Sequence, residues 1–480
     1  MNRKMIFYLL GQMSLLEAGL MLLPLAVSLI YGEASWAAFL QAIIVAVLLG
    51  LMLMLVFKPT NKVIYAKEGF IIVSLAWIVM SVIGALPFTF SGEIPSFVDA
   101  VFETVSGFTT TGASVITNVE ALSHGTLFWR SFTHWIGGMG VLVLVMAVLP
   151  TSTDRSIHII KAEMPGPVVG KLVPKVSQTA KILYLIYVVM TVVETIMLWL
   201  GDMNLFEALV YSFGTAGTGG FAITSSGLAE YSAYSQWVIT AFLVLFGVNF
   251  NLYFLLLIKK FKAVFSSEEL WTYFGIILAS IGIITYNIYA QFETFSESFR
   301  TAAFHTLSVM STAGYTLVDM NNWPELSKSI VIVLMFIGAC AGSTAGGFKL
   351  SRVILLVKSV RRELKRTLHP RSVATVKFEG KRVEEQTTNG VAIYLAMYMA
   401  IILVTFLIIS FEPFSFETRF TTVVSCFNNI GPIFGYAGAN GTLADYSDFS
   451  KIILTFTMLL GRLEVYPLII ALSPSTWSRR

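Results

Sequence analysis

Four times along this chain a full-length apolar run is followed by an amphipathic segment of half that length, a glycine-containing turn and a second full run. The half-length segments are 98–108 (VDAVFETVSGF), 205–215 (LFEALVYSFGT), 300–310 (RTAAFHTLSVM) and 417–427 (ETRFTTVVSCF). They lead into TTTGAS (109–114), AGTGGF (216–221), STAGYT (311–316) and NNIGPI (428–433). A helix of about eleven residues rises roughly 16 Å at 1.5 Å per residue, half of a hydrocarbon core about 30 Å thick. Each segment must therefore dip in and return. Non-helical backbone at that depth is tolerated only where protein surrounds it or it lines a wet cavity, so four such turns are expected around a common axis.

The full-length runs fix the class. Of 480 residues 56% are hydrophobic and 12% charged, and the mean hydropathy is +0.77, far above a soluble domain. Runs of roughly 20 apolar residues, one span each, fall near 6–31, 36–57, 69–90, 127–150, 180–200, 235–258, 270–291, 328–357, 390–411 and 449–473. The expected architecture is all-α and polytopic, with about ten spans. Two leading helices occupy 1–60, and four pseudo-repeats occupy 61–160, 161–262, 263–382 and 383–480. The basic start Asn2-Arg3-Lys4 precedes an apolar run longer than a signal peptide's and without a convincing cleavage site, so it reads as a retained first helix. Cys340 and Cys426 lie in membrane-depth sequence and read as small buried hydrophobes.

Lysine and arginine mark the cytoplasmic side. With the N-terminus inside, that side receives Lys58, Lys62 and Lys67; Arg155, Lys161, Lys171, Lys175 and Lys181; Lys259, Lys260 and Lys262; the run from Arg352 to Arg382; and Arg479 and Arg480. Both termini are then cytoplasmic. The other side carries acids such as Glu33, Glu93, Asp99, Glu120, Asp202 and Asp445, which would concentrate cations near an entrance there. In a soluble protein, RVILLVKSVRRELKRTLHPR (352–371) could be a nucleic-acid patch. Here it reads as a cytoplasmic extension touching anionic lipid or a partner protein, with no nucleic acid.

Aligned on Gly112, Gly219, Gly314 and Gly431, the half-segments place Phe102, Leu209, Phe304 and Thr421 in one column and Ser106, Phe213, Ser308 and Ser425 in another. Each enters from the outer side, so its C-terminal carbonyl end points to the membrane centre and favours positive charge. Glycine then permits torsions that aim carbonyl oxygens inward, and rings of carbonyls can replace the water around a potassium ion. The candidate ligands are Thr110, Thr111 and Gly112; Gly217, Thr218 and Gly219; Thr312, Ala313 and Gly314; and Asn429, Ile430 and Gly431. Only the third turn, Thr312-Ala313-Gly314-Tyr315, closely resembles the Thr-Val-Gly-Tyr run of a potassium-channel filter.

The second span of the third repeat contains IGACAGSTAGGFK (337–349), too rich in small residues to hold a regular helix strongly. The residues alone leave it open between a gate and a close helix-packing face. Arg462, inside the last span, would face protein or water. Glu464 is one possible partner, but residues two apart do not share a helix face. Lys349 reads as either a pore residue or a cytoplasmic flank. Glu17 and Glu194 read as helix contacts rather than a proton relay, and His134 and His305 lack partners at metal-ligand spacing. No nucleophile with a neighbouring base is readable, so no enzyme is expected.

Taken together, the four turns, the closing stretch LLGRLEVYPL (459–468) and the repeat plan resemble, over nearly the whole chain, the Trk/Ktr/HKT superfamily of potassium transporters, and within it the Trk-type uptake membrane subunit of bacteria. The resemblance implies a potassium-conducting pore with a pseudo-fourfold axis in the bacterial inner membrane, assembled as a homodimer. It implies a cytoplasmic nucleotide-binding regulatory partner of the RCK type, K+ as the transported ion and no organic cofactor. It also implies that 337–349, with Gly338, Gly342, Ser343, Thr344, Gly346, Gly347 and Lys349, is an intramembrane gate loop, and that Arg462 sits at the pore beside it. A cation-coupled symporter, or a less selective Na+/K+ transporter, is the alternative.

Overall fold

The computed structural model describes residues 1–61, 64–140, 176–371, 374–431, 434–438 and 442–477. Among these residues the fold is helical, with one small antiparallel hairpin, Lys377–Phe378 against Lys381–Arg382. At the start α1 (Arg3–Leu20) packs along α2 (Trp36–Val56). Gly11 and Gly50 make that approach possible: a Cβ on either would stand within 3 Å of the other's carbonyl oxygen, the small-residue contact that membrane helices use.

Each repeat supplies a first long helix, a short buried one and a second helix. The first helices are α3 (Ala66–Ser91), α6 (Val176–Trp199), α10 (Glu268–Ile288) and α14 (Glu385–Ile408). The short ones are α4 (Phe97–Phe108), α7 (Leu205–Gly217), α11 (Phe295–Met310) and α15 (Phe416–Asn428). Each short helix starts at a polar cap, Ser96, Asn204, Thr294 or Ser415, whose side chain accepts from the third backbone N–H of the helix, satisfying a donor that would otherwise be orphaned.

The second helices are α5 (His124–Gly138), α8 (Ala233–Gly247), α12 (Glu325–Ile337) and α16 (Asp448–Arg462). Here the structure departs from the ten uninterrupted runs. The run 235–258 is α8 followed by α9 (Phe250–Leu257), bent by 89° at the break. The run 328–357 stops at Gly338 and resumes as α13 (Leu350–Leu368). The run 449–473 breaks after Arg462 and resumes as α17 (Tyr466–Leu472). Among the described residues six helices are long and apolar enough to cross a membrane, or seven if the bent pair counts as one. Residues 141–150 of the expected span 127–150 lie outside the described residues.

Burial follows the logic of a chain surrounded by lipid. Large apolar side chains such as Leu48, Leu55, Leu185 and Leu200 are exposed on outer helices, while hydroxyls such as Thr110, Thr215, Ser308 and Thr312 are wholly buried at the centre. Cys340 and Cys426 are both free and buried, as the sequence suggested.

Candidate functional site

The four short helices end in the same way. One non-glycine residue takes a left-handed conformation: Thr110 (φ 56°), Thr218 (57°), Thr312 (62°) or Asn429 (56°). The N–H of the next residue then bonds five residues back, Thr111 to Ser106 O (2.8 Å), Gly219 to Gly214 O (2.8 Å), Ala313 to Ser308 O (2.8 Å) and Ile430 to Ser425 O (3.1 Å), the closing bond of a Schellman motif. A left-handed glycine follows: Gly112 (φ 74°), Gly220 (77°), Gly314 (74°) or Gly431 (89°). Successive residues of opposite φ sign turn consecutive carbonyls to one side, whereas an extended strand alternates them. Left-handed threonine is uncommon and strained, and here it recurs in three turns.

This geometry corrects the alignment of the second repeat by one residue. Gly220, not Gly219, matches Gly112, Gly314 and Gly431, and Gly219 matches Thr111, Ala313 and Ile430. Gly217 is the last residue of α7, and a Cβ on it would lie 2.2 Å from His134 O. In the corrected register the Ser106, Ser308 and Ser425 column contains Gly214 rather than Phe213. A Cβ on Gly214 would come within 2.1 Å of the Tyr315 hydroxyl, so the third turn's tyrosine fills the space that the second repeat leaves empty.

The turns close on one another. A Cβ on Gly112 would stand 2.0 Å from Gly219 O, one on Gly220 1.8 Å from Ala313 O, one on Gly314 1.7 Å from Ile430 O, and one on Gly431 3.0 Å from Thr111 O. First abuts second, second third, third fourth and fourth first. The negative ends of four helix dipoles thus meet at one ring of backbone carbonyls. A cavity of about 170 Å3 on one side is lined by Gly112, Gly220, Gly314, Thr316 and Thr442.

The opposite side is crossed by the segment between Ile337 and Leu350. Gly338 (φ 69°), Gly342 (74°) and Gly347 (76°) give it its turns. It is anchored to the broken second helix of the second repeat: Cys340 N–H donates to Gly247 O (3.2 Å), Thr344 N–H to Phe246 O (3.4 Å), and Phe250 N–H to Gly342 O (3.0 Å). Ala341 N–H donates to Glu269 Oε1 (2.7 Å). Its far part meets the ring, where Gly346 N–H donates to Thr312 Oγ1 (2.7 Å). A Cβ on Gly346 would stand 2.5 Å from Asn428 O.

Arg462 joins this segment to the first turn. Its guanidinium donates to Thr110 Oγ1 (3.2 Å), Thr344 O (3.0 Å) and Gly138 O (2.9 Å). Glu464 instead pairs with Arg352, both mostly buried. Lys349 is buried and donates to Ala345 O, and it lines a cavity of about 50 Å3 together with Gly342, Ser343, Gly346, Gly347 and Arg462. It is thus part of the cavity wall rather than an exposed flank.

Sequence reasoning missed the supports behind the ring. Glu103 on α4 and Arg130 on α5 form a buried ion pair (2.7 Å). Glu103 also accepts from Ser114 Oγ (3.0 Å) and Val115 N–H (3.0 Å). Arg130 stacks over Phe221 at 4.2 Å from its ring centre. His134 Nδ1 lies 2.7 Å from Gly107 O, with its ring against Gly219. His305 Nε2 accepts from Leu317 N–H (3.3 Å). Their signal in the sequence is polar residues on otherwise apolar helices, but partners on different helices cannot be paired by spacing. Among the described residues no group of three His, Cys, Asp or Glu could hold a metal.

The family model described as "Cation transport protein" (TrkH) matches residues 35–277 and 280–479. The chain is 35% identical to the Trk system potassium uptake protein TrkH of Escherichia coli K12, covering 99% of this chain and 100% of that one. It is 31% identical to TrkG of the same organism over 95% of each. The crystal structure of the potassium transporter TrkH from Vibrio parahaemolyticus superposes with a TM-score of 0.89 at 30% identity, covering both chains completely.

Proposed function

The chain belongs to the TrkH family of cation transport proteins, and on that premise we propose that it takes up potassium through the carbonyl ring at the centre of the fold. The carrying observation is the closed cycle of glycine-to-carbonyl contacts from the first turn to the fourth and back. The ligands would be the oxygens of Thr110, Thr111 and Gly112; Thr218, Gly219 and Gly220; Thr312, Ala313 and Gly314; and Asn429, Ile430 and Gly431. With four carbonyl-directed helix ends and inward-turned oxygens, the ring can replace a potassium ion's hydration shell.

The segment 337–349 serves as the gate. Supporting this, it contacts the third turn at Thr312, the fourth at Asn428 and, through Arg462, the first at Thr110. Arg462 and Lys349 place positive charge in the narrow cavity beneath the ring, which raises the barrier to a cation until the segment moves. The basic helix α13 extends from the gate and offers a surface through which a cytoplasmic nucleotide-binding regulator of the RCK type could pull on it. The assembly is a homodimer in the bacterial inner membrane with both termini cytoplasmic.

Reconstitution tests this reading. Purified protein in liposomes should pass K+ down its gradient, and the gene should restore growth of uptake-deficient cells in low potassium. No K+ flux with or without a regulator, from protein that elutes as a single folded species, would remove the assignment.

A further inference from the structure

The four joints of the ring are unequal. At the first three a Cβ on the glycine would stand 2.0, 1.8 or 1.7 Å from the neighbouring carbonyl oxygen, whereas at the joint between the fourth and first turns the distance is 3.0 Å. Backbone packs on backbone with no room for a carbon at three joints, and about an ångström less closely at the fourth.

The packing behind two of the close joints differs from that at the fourth-to-first joint. Phe221 wedges the first-to-second joint, its ring centre 4.2 Å from that of His134 and 4.2 Å from the Arg130 guanidinium carbon. Tyr315 wedges the second-to-third joint, its hydroxyl in the space above Gly214 and 3.4 Å from Tyr211 O. At the fourth-to-first joint the equivalent residue is Ala113, with no ring to fill the gap. Side-chain hydrogen bonds hold it instead. Asn429 Nδ2 donates to Thr111 Oγ1 (3.0 Å) and to Met458 O (3.0 Å). Asn429 stands where the other three turns have threonine, and a threonine hydroxyl has one hydrogen to give where the amide has two.

Building on the potassium-ring reading, we propose that Asn429 is a positioning residue for ion selectivity, setting the width of the ring at its slack joint by tying Thr111 to the fourth repeat. The three close-packed joints, two of them backed by an aromatic ring, fix three sides of the bore, and the Asn429–Thr111 bond fixes the remaining one. Arg462 reaches the same joint, donating to Thr110 Oγ1 (3.2 Å) while also holding Thr344 O (3.0 Å), so movement of the gate segment is transmitted to the adjustable side of the ring.

The test compares K+ and Na+ uptake by the full chain in liposomes for N429T, T111V, T111S and the double variant N429T/T111V. N429T and T111V should each lower the K+ to Na+ preference about fivefold, the factor one net hydrogen bond commands. T111S, which keeps the hydroxyl, should retain the preference, and the double variant should lose no more than either single one. Thermal melting verifies folding, and if N429T does not fold, T111V against T111S decides alone. An unchanged ratio in T111V, or equal loss in T111S and T111V, overturns the proposal. So does a parallel fall in both ion fluxes, which would make the pair merely structural. A wild-type chain that passes no K+ would instead overturn the transport reading.

Discussion

At the scale of single residues, the ring asks for a left-handed residue twice per turn, once at threonine or asparagine and once at glycine. The two demands differ in kind. Thr110, Thr218 and Thr312 bear conformational strain on the order of 1–3 kcal/mol each. At the glycines, which bear no such strain, any side chain would meet strain and a neighbouring carbonyl together. Alanine at Gly220 or Gly314 would put a carbon 1.8 or 1.7 Å from an oxygen, which no side-chain adjustment relieves. We expect G220A and G314A to abolish K+-selective uptake, and G431A, with 3.0 Å available, to retain a measurable part of it. G282A is the control, since its Cβ would meet no atom within 4 Å. Growth of an uptake-deficient strain across a potassium series separates these outcomes, and equal loss in G431A and G314A would contradict the unequal joints. The second repeat shows why the register was not legible: Gly219 and Gly220 are adjacent, and they are told apart by the bond from Gly219 N–H to Gly214 O and the left-handed conformation of Gly220.

At the scale of elements, the breaks in the second helices matter most. The sequence marks 337–349 because small residues accumulate there, whereas the run 235–258 is apolar enough, despite Gly247, Asn249 and Asn251, to read as one helix. Its break comes from tertiary partners: a Cβ on Gly247 would lie 2.2 Å from the Tyr273 hydroxyl, Asn249 caps the following helix, and Phe250 N–H is taken by Gly342 O. The segment 337–349 is thereby tied to the second repeat, and Glu269 ties it to α10. E269A removes the acceptor for Ala341 N–H and should raise basal K+ flux about tenfold, as loss of one charged hydrogen bond from the closed state would. E269Q keeps an acceptor oxygen and should stay near wild type. Liposome flux without regulator reads both, and equal behaviour of the two variants would count against that tether. Behind the ring, R130A leaves Glu103 buried and unpaired. A loss of about 3–5 kcal/mol is expected, visible as a lower melting temperature, with the E103Q/R130A double variant less destabilised than R130A.

At the scale of the whole molecule, one chain closes a ring that its four repeats supply in unequal parts: Phe221, backed by the Glu103–Arg130 ion pair, supports one joint, Tyr315 another, and the Asn429 amide a third. An ion held at the centre would link all four repeats and should stabilise the fold by mass action. The melting temperature of detergent-purified protein should rise with K+, rise less with Na+, and not rise with choline at equal ionic strength. In G314A the difference between K+ and Na+ should vanish; a melting temperature indifferent to cation identity in the wild type would speak against an ion held in the ring. The sequence by itself determined that this chain is a helical membrane protein in which four half-length segments, each ending in a turn, follow full-length apolar runs, because apolar length and half-length are properties of contiguous residues. It also located the turns, through Gly112, Gly314 and Gly431. Only the tertiary structure decided which of Gly219 and Gly220 belongs to the ring, where the second helices break, which partner Arg462 takes and which joint is slack. Those are contacts between residues far apart in the chain, and their energies depend on distances that spacing along a sequence does not encode.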